Sequence, residues 1–527
     1  MLRRVLLSTL ILSICLFVMM SVPGALSEPP AETLQADVII YGGSFASCAA
    51  AVQAAPLLPP GRSILMIVPE SRLGSVGTVG GQNFFDIRRW NGEIVTRGSF
   101  IKWFNAYGQG YPPEAMARAL QTAVTAGNKV KILFNCEIEE VSKSADGRIA
   151  SLSVRPVMRN PETLKVLWAG RAFTVKGGIF IDGSETGRLA RLAGAGHTVG
   201  RQDAGGDMHQ QAATLMFQVR GINPAAASAY RNAAGQAEFF FYQDVDGSGL
   251  GWGGKEFVTR DPVIGAYNSG GHRFRIKGYN VAEDSEKGTW WVNTLLIHEV
   301  DARKQEIDRN TPRWPSPDIP GTLSADEALA QALEEIRSER FLTALRRFPG
   351  FEKVELVRDA DGRPVTGKIL YLRESIHCLD KSGAHALTGE EVRGAGNASL
   401  EGVDQQNYAT RVGLGCYYID INAYLKSEPA QILETPYNPV YIPGEAVLTP
   451  NVPNLLVPGY AQSTDSTAWA AMRVIPNLSV CGDAAGVIAA LCVSHSETPA
   501  QVLVNRVSTV QQAILNLGGR IDKGSNS

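Results

Sequence analysis

The chain has 527 residues, 44% of them hydrophobic and 19% charged, which is enough for two or three domains with cores of their own and excludes a disordered or fibrous protein. Its formal net charge is -2, and no run of Lys or Arg approaches the length of a polyanion-binding arm, so nucleic acid is not an expected partner.

The first residues carry a compartment signal. Arg3 and Arg4 precede an apolar run from Val5 to Met20, then a Pro-Gly break and the small-residue sequence Ala25-Leu26-Ser27. This is the layout of a secretory signal peptide over 1–27, cleaved near Ser27, and it places the mature chain in the periplasm or outside the cell. The run is short for a membrane span, and no later segment reads as apolar for long enough, so no membrane contact is expected after cleavage. Cys15 leaves with the signal. Cys48, Cys136, Cys378, Cys416, Cys481 and Cys492 remain, scattered without C-x-x-C or His/Cys spacing. Neither a metal site nor a disulfide framework is expected from them.

From residue 36 the pattern is that of alternating strands and helices. The continuous apolar run 36–41 reads as a buried parallel strand and ends in Gly42-Gly43-Ser44. Residues 45–55 are mostly small and read as a close-packed helix, and 63–68 reads as the next strand. Such a βαβ unit brings backbone amides and a helix N-terminus to a pyrophosphate. The turn reads G-G-S-F-A-S, with Ser44 and Ser47 where the dinucleotide fingerprint has its second and third glycines. Val68 stands where a ribose-binding acid is expected. Glu70, two residues later, is either that acid displaced or a solvated loop carboxylate.

The glycine-dense segment 73–82, containing Gly74, Gly80 and Gly81, reads as a loop that wraps a ligand closely. A helix over 114–126, a strand over 130–134, and antiparallel strands over 136–142 and 149–154 around an Asp146-Gly147 turn follow. The apolar strand before Asp182 ends in small residues, which suits Asp182 either to ligand binding or to capping the helix expected over 186–193.

Between 204 and 348 the character changes to aromatic, alternating segments at 238–243, 272–279 and 289–298, and then to one long helical stretch over 324–347 opened by a Ser-Ala-Asp-Glu capping box. Trp290 and Trp291 suit a cleft wall or a core. The last third returns to the first style, with a short strand ending at Gly459 and a small-residue helix read as starting at Gly482-Asp483-Ala484-Ala485-Gly486. Such a helix start can stabilise a developing negative charge.

Taken together, residues 37–51, 73–81, 181–194, 372–392 and 441–491 resemble the family of FAD-dependent oxidoreductases with a glutathione-reductase-like FAD fold. The resemblance implies an α/β protein: a discontinuous Rossmann-like FAD-binding domain over 36–203 and 349–517, with a β-rich substrate or cap domain inserted at 204–348. It implies that Gly42, Gly43, Ser44 and Ala46 cradle the FAD pyrophosphate, that Gly74, Gly80 and Gly81 lie along the cofactor, and that Asp182 lies beneath it. Gly459, Gly482, Asp483, Ala484 and Ala485 would face the ribityl chain and the flavin ring.

The family string R-E-T/S-R-R/H is matched at Arg373 and Glu374 and departs at Ile376, while Asn422 replaces the His of its D-x-H string. Arg373 and Arg473 suit either a substrate-positioning role or structural ion pairs. His377 reads as a base near neutral pH or as an interior histidine, and Cys378 as a redox thiol only remotely. The expected function is hydride or electron transfer between FAD and a small-molecule substrate, with a sugar or polyol as the candidate class and an electron acceptor the sequence does not name. Val68 and the two serines leave a second reading: a non-redox binding protein or a polysaccharide lyase-like enzyme on this fold, with FAD structural or lost.

Overall fold

The computed structural model describes residues 32–244, 247–370, 374–395, 408–433 and 438–523. The expected signal peptide and Arg373 lie outside the described residues.

Strand β1 (Val38–Tyr41) is buried along its whole length, as a parallel strand covered on both faces must be. It runs through the glycine turn into helix α1 (Phe45–Leu57), capped by Ser44, whose side chain accepts from the Ser47 amide. The helix stops before Pro59 and Pro60, which cannot continue it. Strand β2 (Ile64–Val68), helix α2 (Ser99–Tyr107), strand β3 (Val130–Phe134) and strand β4 (Ile179–Asp182) follow. β1 pairs in parallel with β2 and β4, β3 with β2, and Leu455–Leu456 completes a five-stranded parallel sheet on the outer side of β4. Strands Cys136–Lys143 and Ile149–Arg159 pair antiparallel around the expected turn.

A second sheet, seven-stranded and antiparallel, is built from β5 (Ala213–Arg220), β6 (Phe239–Gln243), β7 (Gly249–Gly253), β8 (Phe274–Glu283) and β9 (Thr289–Ile297). Helix α3 (Ala325–Arg337) starts on the capping box of Ser324 and Glu327, but the helical stretch breaks at Ser338, which caps a separate helix, Glu339–Leu345. The sheet does not end at residue 348. Glu355–Leu356 and strand β10 (Thr366–Leu370) both pair with β5 and carry it to residue 370. Its core is aromatic, with Phe239, Tyr279, Phe348 and Phe351 in ring contact, and Trp290 is buried with them.

After strand β11 (Leu455–Leu456) and a short helix, Ser466–Met472, the chain enters helix α4 (Ile475–His495). With 21 residues it is long and apolar enough to cross a bilayer, which corrects the expectation that no later segment is. It is instead a core helix packed along α1.

Candidate functional site

The glycine turn opens outside the carboxyl ends of β1 and β4, where open α/β sheets hold their ligands. Gly42 has φ +98°, and a Cβ there would lie 2.8 Å from the Ser184 backbone. A Cβ on Gly43 would lie 2.7 Å from Val68 Cγ1. These close approaches leave only backbone at the turn. Ser44 Oγ donates to the Gly183 carbonyl at 2.5 Å, so it ties the turn to the end of β4. The first amides of α1 have no partners within the helix and carry its positive end.

A cavity of about 170 Å³ lies at this turn, lined by Gly42, Gly43, Glu70, Ser75, Glu185 and Lys368 among others. It shares Glu70 and Lys368 with a larger cleft of about 1000 Å³ that continues past Arg72 and Asn135 toward α3. β2 ends at Val68 as read, but Glu70 is not a solvated carboxylate. Its Oε1 accepts from Lys368 Nζ at 2.5 Å and from Ser75 Oγ at 3.0 Å, and although burial works the other way, the ammonium holds its carboxyl below the usual range. Lys368 Nζ also lies 3.0 Å from Glu185 Oε1 and 2.8 Å from Ser75 Oγ, and its two carboxylate neighbours outweigh burial and raise its pKa. Glu185 Oε2 is buried and, among the described residues, has no hydrogen-bond partner.

Asp182 is wholly buried and caps the loop that follows it: Oδ1 accepts from the Ser184 amide and hydroxyl, and Oδ2 from the Ala190 amide. Of its two expected roles the structure has the capping one. Gly459 packs on the same loop, with the Ser184 carbonyl 2.6 Å from where its Cβ would be. Gly74 is left-handed at φ +103° and donates its amide to the Gly43 carbonyl. Gly80 and Gly81 do not reach the cavity: they seat the antiparallel sheet, Gly80 against Gly367 and Gly81 against the Trp291 ring.

The largest correction concerns the C-terminal helix. α4 starts at Ile475, not at Gly482, so Gly482, Asp483, Ala484 and Ala485 are in its buried interior. Ala46 belongs to this contact as well, because a Cβ on Gly482 would lie 2.2 Å from its carbonyl oxygen. Asp483 accepts from the Ser99 amide at 2.9 Å and the Ser99 hydroxyl at 2.6 Å, capping α2, whose own N-cap residue is a glycine. Burial pushes its pKa up to about 6. The helix end with free amides is at Val474, which offers no side-chain cap.

Beside that end, Arg473 pairs with Asp420 at 2.6 Å, the ion pair that was one of its two readings. Asp86 lies nearby, accepts from Tyr417 Oη at 3.3 Å and is raised by burial. A second buried polar group surrounds Glu374, which has φ +58° and accepts from Tyr424 Oη at 3.0 Å and the Gln211 amide at 3.2 Å. Burial pushes Glu374 up to about 8. His377 is 3.9 Å from Glu374 Oε1, fully buried, and neither ring nitrogen makes a hydrogen bond among the described residues. Burial drives its pKa down to about 3, so it is a neutral imidazole and not a base near neutral pH. The Cys378 thiol is likewise buried and raised, against a redox role.

Sequence reasoning missed Lys368, Glu185 and Ser75. Lys368 reads as an ordinary outward residue of the segment Thr-Gly-Lys-Ile-Leu, and only the docking of that strand on the glycine loop turns it inward. Glu185 carried a readable signal in its place just after a strand-end Asp.

The cradle fits FAD. Backbone approaches that exclude a Cβ, a helix N-terminus and a partly buried ammonium suit a pyrophosphate, and the Glu70 carboxylate suits a ribose hydroxyl. A sequence profile of the family described as FAD dependent oxidoreductase matches residues 37–514. Among solved structures, a geranylgeranyl bacteriochlorophyll reductase-like protein from Thermoplasma acidophilum is similar at 11% identity, covering 93% of this chain and 85% of its own, with a TM-score of 0.38. The myxobacterial chondrochloren halogenase CndH is similar at 12% identity, covering 92% of this chain and 78% of its own, with a TM-score of 0.32. No curated protein matches.

Proposed function

Because the chain belongs to the family of FAD-dependent oxidoreductases, we propose that it holds FAD along Gly42, Gly43 and Ser44 and oxidises a small hydroxyl-bearing molecule, a sugar or polyol, outside the cytoplasm. The observation that carries the reading is the glycine turn at the carboxyl end of β1, running directly into α1 above a cavity that contains a partly buried ammonium. FAD, when bound, supplies the two-electron acceptor. The chain's own residues do the rest. Gly42 and Gly43 expose backbone amides to the pyrophosphate, and Glu70 offers an acceptor for a ribose hydroxyl. The uncapped end of α4 at Val474 takes over the role expected of Gly482, that of favouring negative charge beside it. Arg473, held by Asp420, adds a fixed positive charge at the same end. The region of the antiparallel sheet serves as the substrate cap, and residues 1–27 as the export signal.

The test is the visible spectrum of the purified mature chain. Flavin bands bleached by dithionite, and then by a polyol or sugar under anaerobic conditions, are expected. A colourless protein that added FAD does not restore would overturn the cofactor assignment. Bleaching by dithionite but by no hydroxylated compound would overturn the substrate class alone.

A further inference from the structure

β10 carries a bulge. Leu215 pairs with Ile369 and Phe217 with Thr366, so Gly367 and Lys368 together occupy the place opposite Met216. The bulge is pressed onto the glycine-dense loop: a Cβ on Gly367 would lie 2.0 Å from the Gly80 carbonyl, and the Lys368 amide donates to the Val79 carbonyl at 3.2 Å. The extra residue turns the Lys368 side chain out of the antiparallel sheet and into the cavity at Gly42 and Gly43. There one ammonium serves two carboxylates, Glu70 and Glu185, through Ser75 and directly. One ammonium shared by two carboxylates leaves Glu185 Oε2, among the described residues, buried without a donor beside a helix end that attracts anions. That arrangement is incomplete by itself. A ligand anion beside Gly42 and Gly43 would offer Lys368 a partner in place of Glu185, and its ribose hydroxyls would offer donors to Glu70.

We infer that Lys368 is a positioning cation for the FAD pyrophosphate, supplied by the antiparallel sheet, and that Glu185 competes with the pyrophosphate for it. The ammonium turns from Glu185 onto the phosphates when FAD binds, and cofactor binding thereby fastens the antiparallel sheet to the parallel one. This rests on the FAD site proposed above.

The experiment titrates the full mature chain, freed of flavin, with FAD, ADP and adenosine. Lys368→Met is expected to weaken FAD and ADP alike, on the order of tenfold to a hundredfold, as loss of a charge-assisted hydrogen bond does, with adenosine unchanged. Lys368→Arg should keep most of the affinity. Glu185→Gln, which removes the competing charge, should tighten FAD and ADP. Lys368→Met that folds and binds FAD like the wild type overturns the inference, and so does an equal loss for adenosine. If Lys368→Met fails to fold, Glu185→Gln decides: tightening supports the inference and weakening overturns it. Gly43→Val separates this from the underlying site. If Gly43→Val abolishes binding while Lys368→Met does not, only Lys368 is misassigned. A wild-type chain that binds neither FAD nor ADP overturns both.

Discussion

Gly482 lies against Ala46 so closely that a Cβ on it would be 2.2 Å from the Ala46 carbonyl oxygen, and four residues on, Gly486 meets the Ala50 carbonyl in the same way at 2.3 Å. Small residues at this spacing let α1 and α4 touch backbone to backbone, as ridges of one helix in the groove of another. Gly482→Ala should therefore destabilise the protein by about 1–3 kcal/mol, because overpacking outweighs the gain of about 1 kcal/mol in helix propensity. Thermal unfolding checks this, and a variant more stable than the wild type would refute the packing account.

Asp483 is held by Ser99 at the start of α2. Asp483→Ala removes two buried hydrogen bonds and the cap of α2, and should cost about 1–3 kcal/mol. Flavin affinity of the folded fraction should stay as in the wild type. The carboxyl is raised from 3.8 to about 6 in the folded state, so the folded state holds its proton more tightly than the unfolded one. Its stabilising contribution is complete below pH 3.8 and is lost as pH rises through 6. Denaturant unfolding at pH 4 and pH 7 should show that component in the wild type and not in Asp483→Ala.

Gly42 and Gly61 provide a paired comparison. Both are left-handed, at φ +98° and +78°, but a Cβ on Gly61 meets nothing within 4 Å while one on Gly42 meets the Ser184 backbone at 2.8 Å. Gly61→Ala should show only backbone strain of about 1 kcal/mol, with full flavin content. Gly42→Ala should lose flavin, read as the ratio of visible to ultraviolet absorbance. Equal flavin content in the two variants would contradict the placement of the pyrophosphate.

His377 is expected to make the protein acid-sensitive. Its folded pKa of about 3 lies below the ordinary 6.5, so the unfolded chain takes up a proton first as pH falls. The stability this histidine contributes is present above pH 6.5 and is lost as pH falls toward 3. His377→Gln should flatten that part of the stability profile and move the acid-unfolding midpoint down. An unchanged midpoint would mean that the buried imidazole is not neutral.

Much of the framework was legible because it depends on local chemistry. The apolar run ending in Gly42 and Gly43 became β1 and its turn, Ser324 and Glu327 formed their capping box, and the Asp146-Gly147 turn joined the expected hairpin. The boundaries were harder. The helix read over 324–347 contains Ser338, which caps a new helix inside an otherwise helical pattern. The start of α4 was placed at Gly482 because glycine usually marks a helix end, whereas here Gly482 and Gly486 answer to α1, a neighbour more than four hundred residues away in sequence.

Periodicity, glycine turns and capping residues act over a few positions, and through them the sequence by itself determined the succession of strands and helices, the glycine cradle and its fitness for a dinucleotide. Which side chains meet across that cradle was decided only by the tertiary structure. Lys368 reaches Glu70 because a bulge in one sheet docks on a loop of another, and Asp483 reaches Ser99 because α4 passes the start of α2, where Gly98 leaves room for the carboxylate. Such contacts join residues hundreds of positions apart, and their charges and burial exist only once the chain has brought them together.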